Sequence, residues 1–303
     1  MWYLGNHTVI FLLEKELIPG IIMQRTRFDN KKIMLSVTAI ASMLVLAIVV
    51  AKIVSYSYDM YRSGKKVEEL REKIGEATLV LDTDAETGRP VAYHTESAPE
   101  EPQPEVVRKV SAKYKDLYGL NNDLAGWISI ADTRVDLPVM QTVFDEEFYL
   151  HRNFDKEEDK AGLPFADYRC DMNDRSTNII IYGHNMKNGD MFHDLLSYES
   201  RKFFEDHRYI RFDTIYEEAI YEIVAVFRSK VMYMTDDSFK FYNFIEADDE
   251  DDLTDYLAQI RSMSLYDIEP SEGLTDELIT LSTCEYSEED GRFVVVARRV
   301  KEI

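Results

Sequence analysis

The stretch Leu278-Ile-Thr-Leu-Ser-Thr-Cys284, followed by Arg292-Phe-Val-Val-Val-Ala297, sets the expected architecture. Seven residues, Glu285–Gly291, separate Cys284 from Arg292, and most of them are polar. Two β-rich runs joined by a short polar loop are typical of neighbouring antiparallel strands. We therefore expect Cys284 at the end of one strand and Arg292 at the start of the next, about 4.8 Å apart across the pair.

This placement makes Cys284 a candidate nucleophile. A free thiol has a pKa of about 8.5, so little thiolate is present at pH 7 unless a nearby cation favours it. Arg292 provides such a cation, and its guanidinium also offers donors to an oxyanion. Arg298 is about 20 Å further along an extended strand and is too distant for this role. Judged on these residues alone, a buried cysteine beside a surface arginine is the more common arrangement.

Six histidines are available as a base. His184 directly follows the apolar run Asn178–Gly183, at the expected end of a strand, where a rigid scaffold can hold a reactive group at the surface. His193 lies in the amphipathic run Met191–Leu196, which favours a position on a helix face. Without further context His184 is an ordinary hydrogen-bonded histidine.

Short apolar runs separated by turn residues recur from Val106 onward. We expect strands at 126–130, 135–140, 177–182, 209–212, 219–228, 278–283 and 293–300, and helices at 191–198 and 251–262. Many short strands with few helices indicate a mainly β fold, a closed or nearly closed barrel with helical insertions.

The N-terminal part contains a candidate membrane anchor. Ile33–Ala51 has no charge, proline or glycine, and as a helix it spans about 28 Å. The run is longer than the apolar core of a signal peptide and no small-x-small cleavage site follows, so we expect an uncleaved anchor. Four basic residues precede it and favour a cytoplasmic N-terminus; they are Arg25, Arg27, Lys31 and Lys32.

Four segments are expected. They are a cytoplasmic segment 1–32, a transmembrane anchor 33–56, an extracellular stalk 57–104 and a catalytic domain 105–303. The acidic, proline-rich run Glu96–Glu105 favours an extended spacer, with a helix near Val67–Ile74. Met23 is an alternative start of the natural chain.

Composition limits which binding partners and which disulfide bonds the chain can have. The net charge of -22 argues against a nucleic-acid partner, because a phosphate backbone requires a basic surface. The only two cysteines are Cys170 and Cys284, too few for a disulfide framework. A single bridge between them remains an alternative, and it would remove the nucleophile.

Taken together, Thr280-Leu-Ser-Thr-Cys284, Arg292 and Tyr182-Gly-His-Asn-Met-Lys187 resemble the sortases of Gram-positive cell envelopes. The match looks like class B over about 110–303, through the further runs Ala125–Ile128, Leu137–Met140, Phe148–Leu150, Phe165–Arg169 and Gly183–Phe192. The resemblance implies a barrel of about eight strands with N-terminal helices and a helix in the long connection before the cysteine strand. Residues 251–262 match that helix.

The resemblance also implies a function. Cys284, His184 and Arg292 would be the catalytic groups of a membrane-anchored cysteine transpeptidase whose catalytic domain is extracellular. It would cleave an NPxTx-like C-terminal sorting signal of exported proteins and transfer them to an amino group of a lipid-linked peptidoglycan precursor. Substrate-binding positions of the family fall on Ser282, Thr283 and Glu285. No cofactor or metal is expected.

Two features depart from the family pattern. The acidic run Glu246–Asp252 is interpreted as a solvated helix start, which suits the helix dipole, with a calcium site as the alternative. Cys170 has no family role. An acidic partner of His184 is also unidentified, and three carboxylates are candidates by sequence proximity only. They are Asp190, Asp194 and Asp290.

Three other functions are weighed against this one. A papain-type hydrolase lacks support because its cysteine signature is absent and because His184 precedes Cys284 in the chain. A pilin polymerase, which uses a lysine of another pilin as acceptor, is an alternative within the family that the sequence leaves open. A membrane-tethered binding domain without enzymatic activity is the third.

Overall fold

The computed structural model describes residues 30–74, 108–231, 238–284 and 290–301, with side chains from residue 34 onward. Predictions that concern 1–29, 75–107 and 285–289 lie outside these residues. The chain divides into two units, Met1–Val54 and Ser55–Ile303. The second unit contains the sheet and both sequence motifs.

Eight strands form a closed barrel in the order β1-β2-β3-β4-β7-β8-β6-β5. The strands are β1 (Leu124–Ser129), β2 (Asp136–Met140), β3 (Phe165–Ala166), β4 (Asn178–Gly183), β5 (Tyr209–Thr214), β6 (Ile220–Lys230), β7 (Leu274–Cys284) and β8 (Gly291–Val300). The mainly β barrel of about eight strands is therefore confirmed. Seven strands lie where the apolar runs predict them, whereas β3, with two residues, is too short to produce a pattern.

Side-chain alternation along β7 and β8 separates the barrel interior from an outer layer. Ile279, Leu281 and Val295 belong to the main core cluster, which draws on strands all around the barrel. Leu278 and Val294 belong instead to a second cluster on the opposite face, which α4 covers. Every second residue from Leu278 onward therefore lies on the outer face, namely Thr280, Ser282 and Cys284.

Four α-helices are present among the described residues. They are α1 (Asn30–Ile74), α2 (Lys115–Leu120), α3 (Arg201–Asp206) and α4 (Glu250–Met263). Asp249 caps α4 by accepting a hydrogen bond from the backbone N–H of Asp252, and the acidic first turn is exposed. The acidic run is thus a solvated helix start, as expected. The helix expected at 191–198 is a 3-10 helix, His193–Glu199.

Within the described residues, α1 is the one helix that is long and apolar enough to cross a membrane. The helix expected near Val67–Ile74 is the end of α1. It differs from the expected stalk because the residues from Ser55 onward belong to the barrel unit. Met60, Val67 and Leu70 recur at helical spacing and are buried in the main core. The remaining part of the expected stalk, 75–104, lies outside the described residues.

Polar contacts complete the attachment of this second half of α1. The Arg71 Nε donates to the backbone oxygen of Asp136 on β2 at 2.9 Å, and Ser63 donates to the Asp159 carboxylate at 2.6 Å. These contacts place the end of α1 against β2 and the segment that precedes β3.

Candidate active site

Cys284 and Arg292 are direct partners in the antiparallel ladder between β7 and β8. Directly opposite residues lie on the same face of a sheet, with Cα atoms about 4.5–5.5 Å apart. The thiol and the guanidinium therefore share the outer face of the barrel. Cys284 is only partly buried, and neither it nor Cys170 is in a disulfide. The alternative of a bridge between the two cysteines is thus wrong.

His184 lies at the same end of the sheet. Strands β4 and β7 run parallel, and the last pair in their register is Gly183 with Thr283. The next residue after each member of this pair is His184, which follows β4, and Cys284, the last residue of β7. Neighbouring strands are about 4.8 Å apart. The structure thus brings Cys284, His184 and Arg292 together from three adjacent strands.

The surroundings of the imidazole set its protonation. The Nε2 atom of His184 lies 2.8 Å from the carbonyl oxygen of Leu150. Because a carbonyl can only accept, Nε2 carries a hydrogen and Nδ1 is left for proton exchange. Burial lowers the pKa of His184, the Leu150 carbonyl raises it, and His151 lowers it again. The His151 ring stacks on His184 at a centroid distance of 5.6 Å.

No carboxylate contacts His184 within the described residues. Asp190 lies 3.6 Å from the Arg134 guanidinium, and the Asp194 carboxylate accepts from the Arg134 backbone N–H at 2.8 Å. The backbone oxygen of Asp290 accepts weakly from Arg292. In the described part of the chain, a carbonyl and a second histidine occupy the place expected for an acidic partner.

The Arg292 side chain is held by backbone oxygens rather than by an acid. Its Nη1 donates to the carbonyl of Gly291 at 3.0 Å. Over the described ranges it forms no ion pair, so its positive charge is not neutralised by a neighbour there. Such a guanidinium is suited to stabilise an oxyanion or to orient a peptide carbonyl.

The three expected substrate-binding residues differ in their surroundings. The Thr283 hydroxyl donates to the carbonyl of Gly183 at 2.7 Å and is buried. Ser282 lies on the same face as Cys284, and its buried hydroxyl has no hydrogen-bond partner among the described residues. Glu285 lies outside those residues. The substrate-binding role of all three stays a prediction.

A hairpin that follows His184 contributes contacts that the sequence did not reveal. The backbone N–H of Phe192 donates to the His184 carbonyl at 2.8 Å, and the Nδ2 of Asn185 donates to the Cys284 carbonyl at 3.0 Å. A Cβ atom on Gly183 would lie 2.6 Å from the Phe192 ring, which explains the glycine at this position. The one signal in the sequence is an asparagine directly after the candidate histidine.

Cys170 is buried against the backbone of β4. Its Sγ lies 3.4 Å from the carbonyl of Asn178 and 3.4 Å from the backbone N–H of Ile180. Burial raises its pKa to about 12, so the thiol stays protonated and unreactive at neutral pH. Cys284 is thus the accessible thiol of the two.

Comparison with known proteins identifies the family. The Sortase domain model matches residues 128–300 of the chain. This chain belongs to the sortase family. Sortase B of Listeria monocytogenes is 36% identical over 194 residues, which cover 63% of this sortase and 76% of that relative.

Solved structures agree with this assignment. Bacillus anthracis sortase B in complex with AAEK1 superposes with a TM-score of 0.61 and 29% identity, over 81% of this sortase and 100% of that chain. A Staphylococcus aureus sortase B–substrate complex gives a TM-score of 0.55 and 28% identity, over 63% and 86% of the two chains. The protein is thus a class B sortase, a transpeptidase, which confirms the enzyme prediction and excludes the papain-type hydrolase and the non-enzymatic binding domain.

Proposed function

We propose that this sortase cleaves an NPxTx-like C-terminal sorting signal of exported proteins and joins them to an amino group of a lipid-linked peptidoglycan precursor. The observation that carries the proposal is the position of Cys284, opposite Arg292 on β8 and beside His184 at the end of β4. This arrangement supplies a nucleophile, a proton carrier and a cation at one partly exposed surface.

In the first half-reaction the Cys284 thiolate attacks the carbonyl carbon before the scissile peptide bond. The carbonyl electron pair moves onto its oxygen, and the Arg292 guanidinium with nearby backbone N–H groups stabilises that oxyanion. When the oxyanion collapses, the C–N bond breaks and the leaving amine takes a proton from the His184 imidazolium. The product is a thioester on Cys284.

In the second half-reaction the acceptor amine replaces the leaving amine. His184, now neutral, takes a proton from the incoming amine as its nitrogen attacks the thioester carbon. The C–S bond then breaks, the new amide is released and the Cys284 thiolate is restored. The proton that His184 takes from the incoming amine replaces the one that it gave to the leaving amine. The cycle therefore closes without a cofactor.

The peptide site is proposed to include Ser282, Thr283 and Glu285. Support is strongest for Ser282, because a buried hydroxyl on the face of Cys284 is costly to leave without a partner and a peptide carbonyl would supply one. The side chain of Thr283 is engaged with Gly183, so its contribution would come through the backbone.

We further propose that residues 33–56 anchor the enzyme in the cell membrane, with 1–32 cytoplasmic and the catalytic domain, 105–303, outside. The apolar composition of Ile33–Ala51 and the basic residues before this run support this orientation. We keep the prediction of an extracellular stalk for residues 75–104. An enzyme that joins exported proteins to wall precursors must act on the outer side.

The test is a peptide assay with full-length protein in detergent. The enzyme is incubated with an NPxTx-type peptide, with and without an amine acceptor. We expect an amide-linked product that grows with acceptor concentration at the expense of hydrolysis, and no product with Cys284→Ala. Hydrolysis that is unchanged by the amine would contradict transpeptidation, and preference for a lysine-bearing pilin peptide over wall-type amines would favour the pilin polymerase.

A further inference from the structure

Asn185 connects the ends of the two strands that carry the catalytic histidine and cysteine. The backbone register of β4 and β7 ends with Gly183 and Thr283. Two residues beyond Gly183, the buried Asn185 side chain donates from Nδ2 to the Cys284 carbonyl at 3.0 Å. A side-chain amide thus links the two strand ends where the backbone ladder stops.

His193 fixes the orientation of that amide. Its Nδ1 lies 2.7 Å from the Oδ1 of Asn185. Since Nδ2 donates to the Cys284 carbonyl, Oδ1 faces His193 and accepts, so Nδ1 must carry a hydrogen. The hairpin that returns the chain is closed by a bridge between Asn185 and Met191. It brings His193 back beside Asn185.

We propose that Asn185 and His193 are positioning residues for Cys284. A peptide unit is planar and turns as one body, so a fixed Cys284 carbonyl also fixes the backbone from which the thiol extends. The His193–Asn185–Cys284 chain would hold the sulfur in the direction of His184 and Arg292. This inference rests on the proposed function, because the positioned group is its nucleophile.

The expected effect is on the rate of thioester formation rather than on peptide affinity. Acyl transfer is sensitive to small displacements of the nucleophile. Removal of one positioning hydrogen bond, in Asn185→Ala, should lower kcat for acylation about tenfold and leave KM nearly unchanged. His193→Ala should act similarly, and the double variant should be no slower than Asn185→Ala, because the two residues act as one chain.

His193→Asn is the decisive variant. The Nδ2 of an asparagine is a hydrogen-bond donor near the place of the histidine Nδ1, so this variant should retain most of the wild-type rate. In His193 the hydrogen on Nδ1 is present both in the neutral tautomer that donates to Asn185 and in the imidazolium. The pH–rate profile of His193→Asn should therefore match that of the wild type.

The experiment measures acylation of full-length variants with a sorting peptide and, in parallel, the rate at which a small alkylating reagent modifies Cys284. Asn188→Ala, in the same hairpin but exposed, is the matched control and should behave as wild type. Alkylation of Cys284 should slow in Asn185→Ala and His193→Ala and recover in His193→Asn. The alkylation arm decides the inference even where no sorting peptide is accepted, which separates its failure from failure of the proposed function.

Two results would overturn the inference. One is a His193→Asn variant as slow as His193→Ala in both measurements. The other is an Asn185→Ala variant that matches wild type in both. If Asn185→Ala does not fold, as judged by thermal denaturation, the two His193 variants decide alone.

Discussion

Cys284 faces Arg292 directly across the β7–β8 ladder, one residue beyond the last β4–β7 pair, so the thiol lies between the strand ends that carry the guanidinium and the His184 imidazole. The relationship follows from strand register alone, since opposite residues of an antiparallel pair lie on the same face. The β4–β7 register brings His184, from a distant part of the chain, to the same surface.

Replacement of Arg292 tests the oxyanion role. Arg292→Ala should lower kcat for acylation by about 10²–10³, the usual cost of a lost oxyanion donor. Arg292→Lys keeps the charge but loses the planar fork of donors, so its rate should be intermediate. The control is Arg298→Ala on the same strand, whose side chain donates to Thr275 and pairs with Asp276. Equal rates for Arg292→Ala and the control would contradict the role.

The pKa of His184 should be lower than that of a free histidine, because the ring is buried. NMR titration should detect this, and His151→Gln should raise the value, since the His151 charge lowers it. If His151→Gln leaves the pKa of His184 unchanged, the charge of His151 does not affect His184.

The same lowered pKa has a consequence for stability. Between the folded pKa and the ordinary value of about 6.5, the unfolded state binds more protons at His184 than the folded state, so stability rises with pH through this window and falls on acidification. Urea denaturation at several pH values should show a smaller acid-induced loss for His184→Gln than for the wild type. An identical pH dependence would contradict the burial argument.

Gly183 should not tolerate a side chain. In Gly183→Ala the new Cβ would lie 2.6 Å from the Phe192 ring, and overpacking of this kind costs about 1–3 kcal/mol. Chemical denaturation should show the loss, and Phe192→Leu in the same chain should recover part of it by making space. A Gly183→Ala variant with wild-type stability would show that the hairpin moves freely.

The second half of α1 should contribute to the stability of the catalytic domain. Leu70 is 1% exposed in the main core, and Leu→Ala at such sites costs about 2–5 kcal/mol. Glu69→Ala, at an exposed neighbouring position with a distant ion pair to Lys65, should change the free energy of unfolding little. Equal stability of the two variants would mean that this part of α1 does not pack as described.

Much of this site follows from local sequence pattern. The apolar run before His184 and the two runs flanking Cys284 and Arg292 predict their strands, because β-rich segments bounded by turns are recognisable in sequence. The parallel pairing of β4 with β7 is a long-range contact without a local signal, and it is what brings His184 to Cys284. The role of Leu150 depends on a contact between segments distant in sequence, and the roles of Asn185 and His193 depend on hairpin geometry. None of these roles was predictable from composition or spacing.

The packing of this part of the expected stalk against the barrel was missed for a related reason. The spacing of Met60, Val67 and Leu70 is compatible with an amphipathic helix, but the partner surface on the barrel lies far away in sequence. The charged residues between them made the segment resemble a solvated spacer. Its attachment to the barrel includes the hydrogen bond from Arg71 to Asp136. These two residues are far apart in sequence, so the contact has no local signal.

The mass of the covalent intermediate shows directly whether Cys284 is the nucleophile. Full-length enzyme is incubated with an NPxTx-type peptide, quenched in acid, digested and analysed by mass spectrometry. We expect that the peptide containing Cys284 gains the mass of the acyl fragment, that added amine removes this gain, and that Cys170 stays unmodified. An acyl group on Cys170, or product formation by Cys284→Ala, would contradict this expectation.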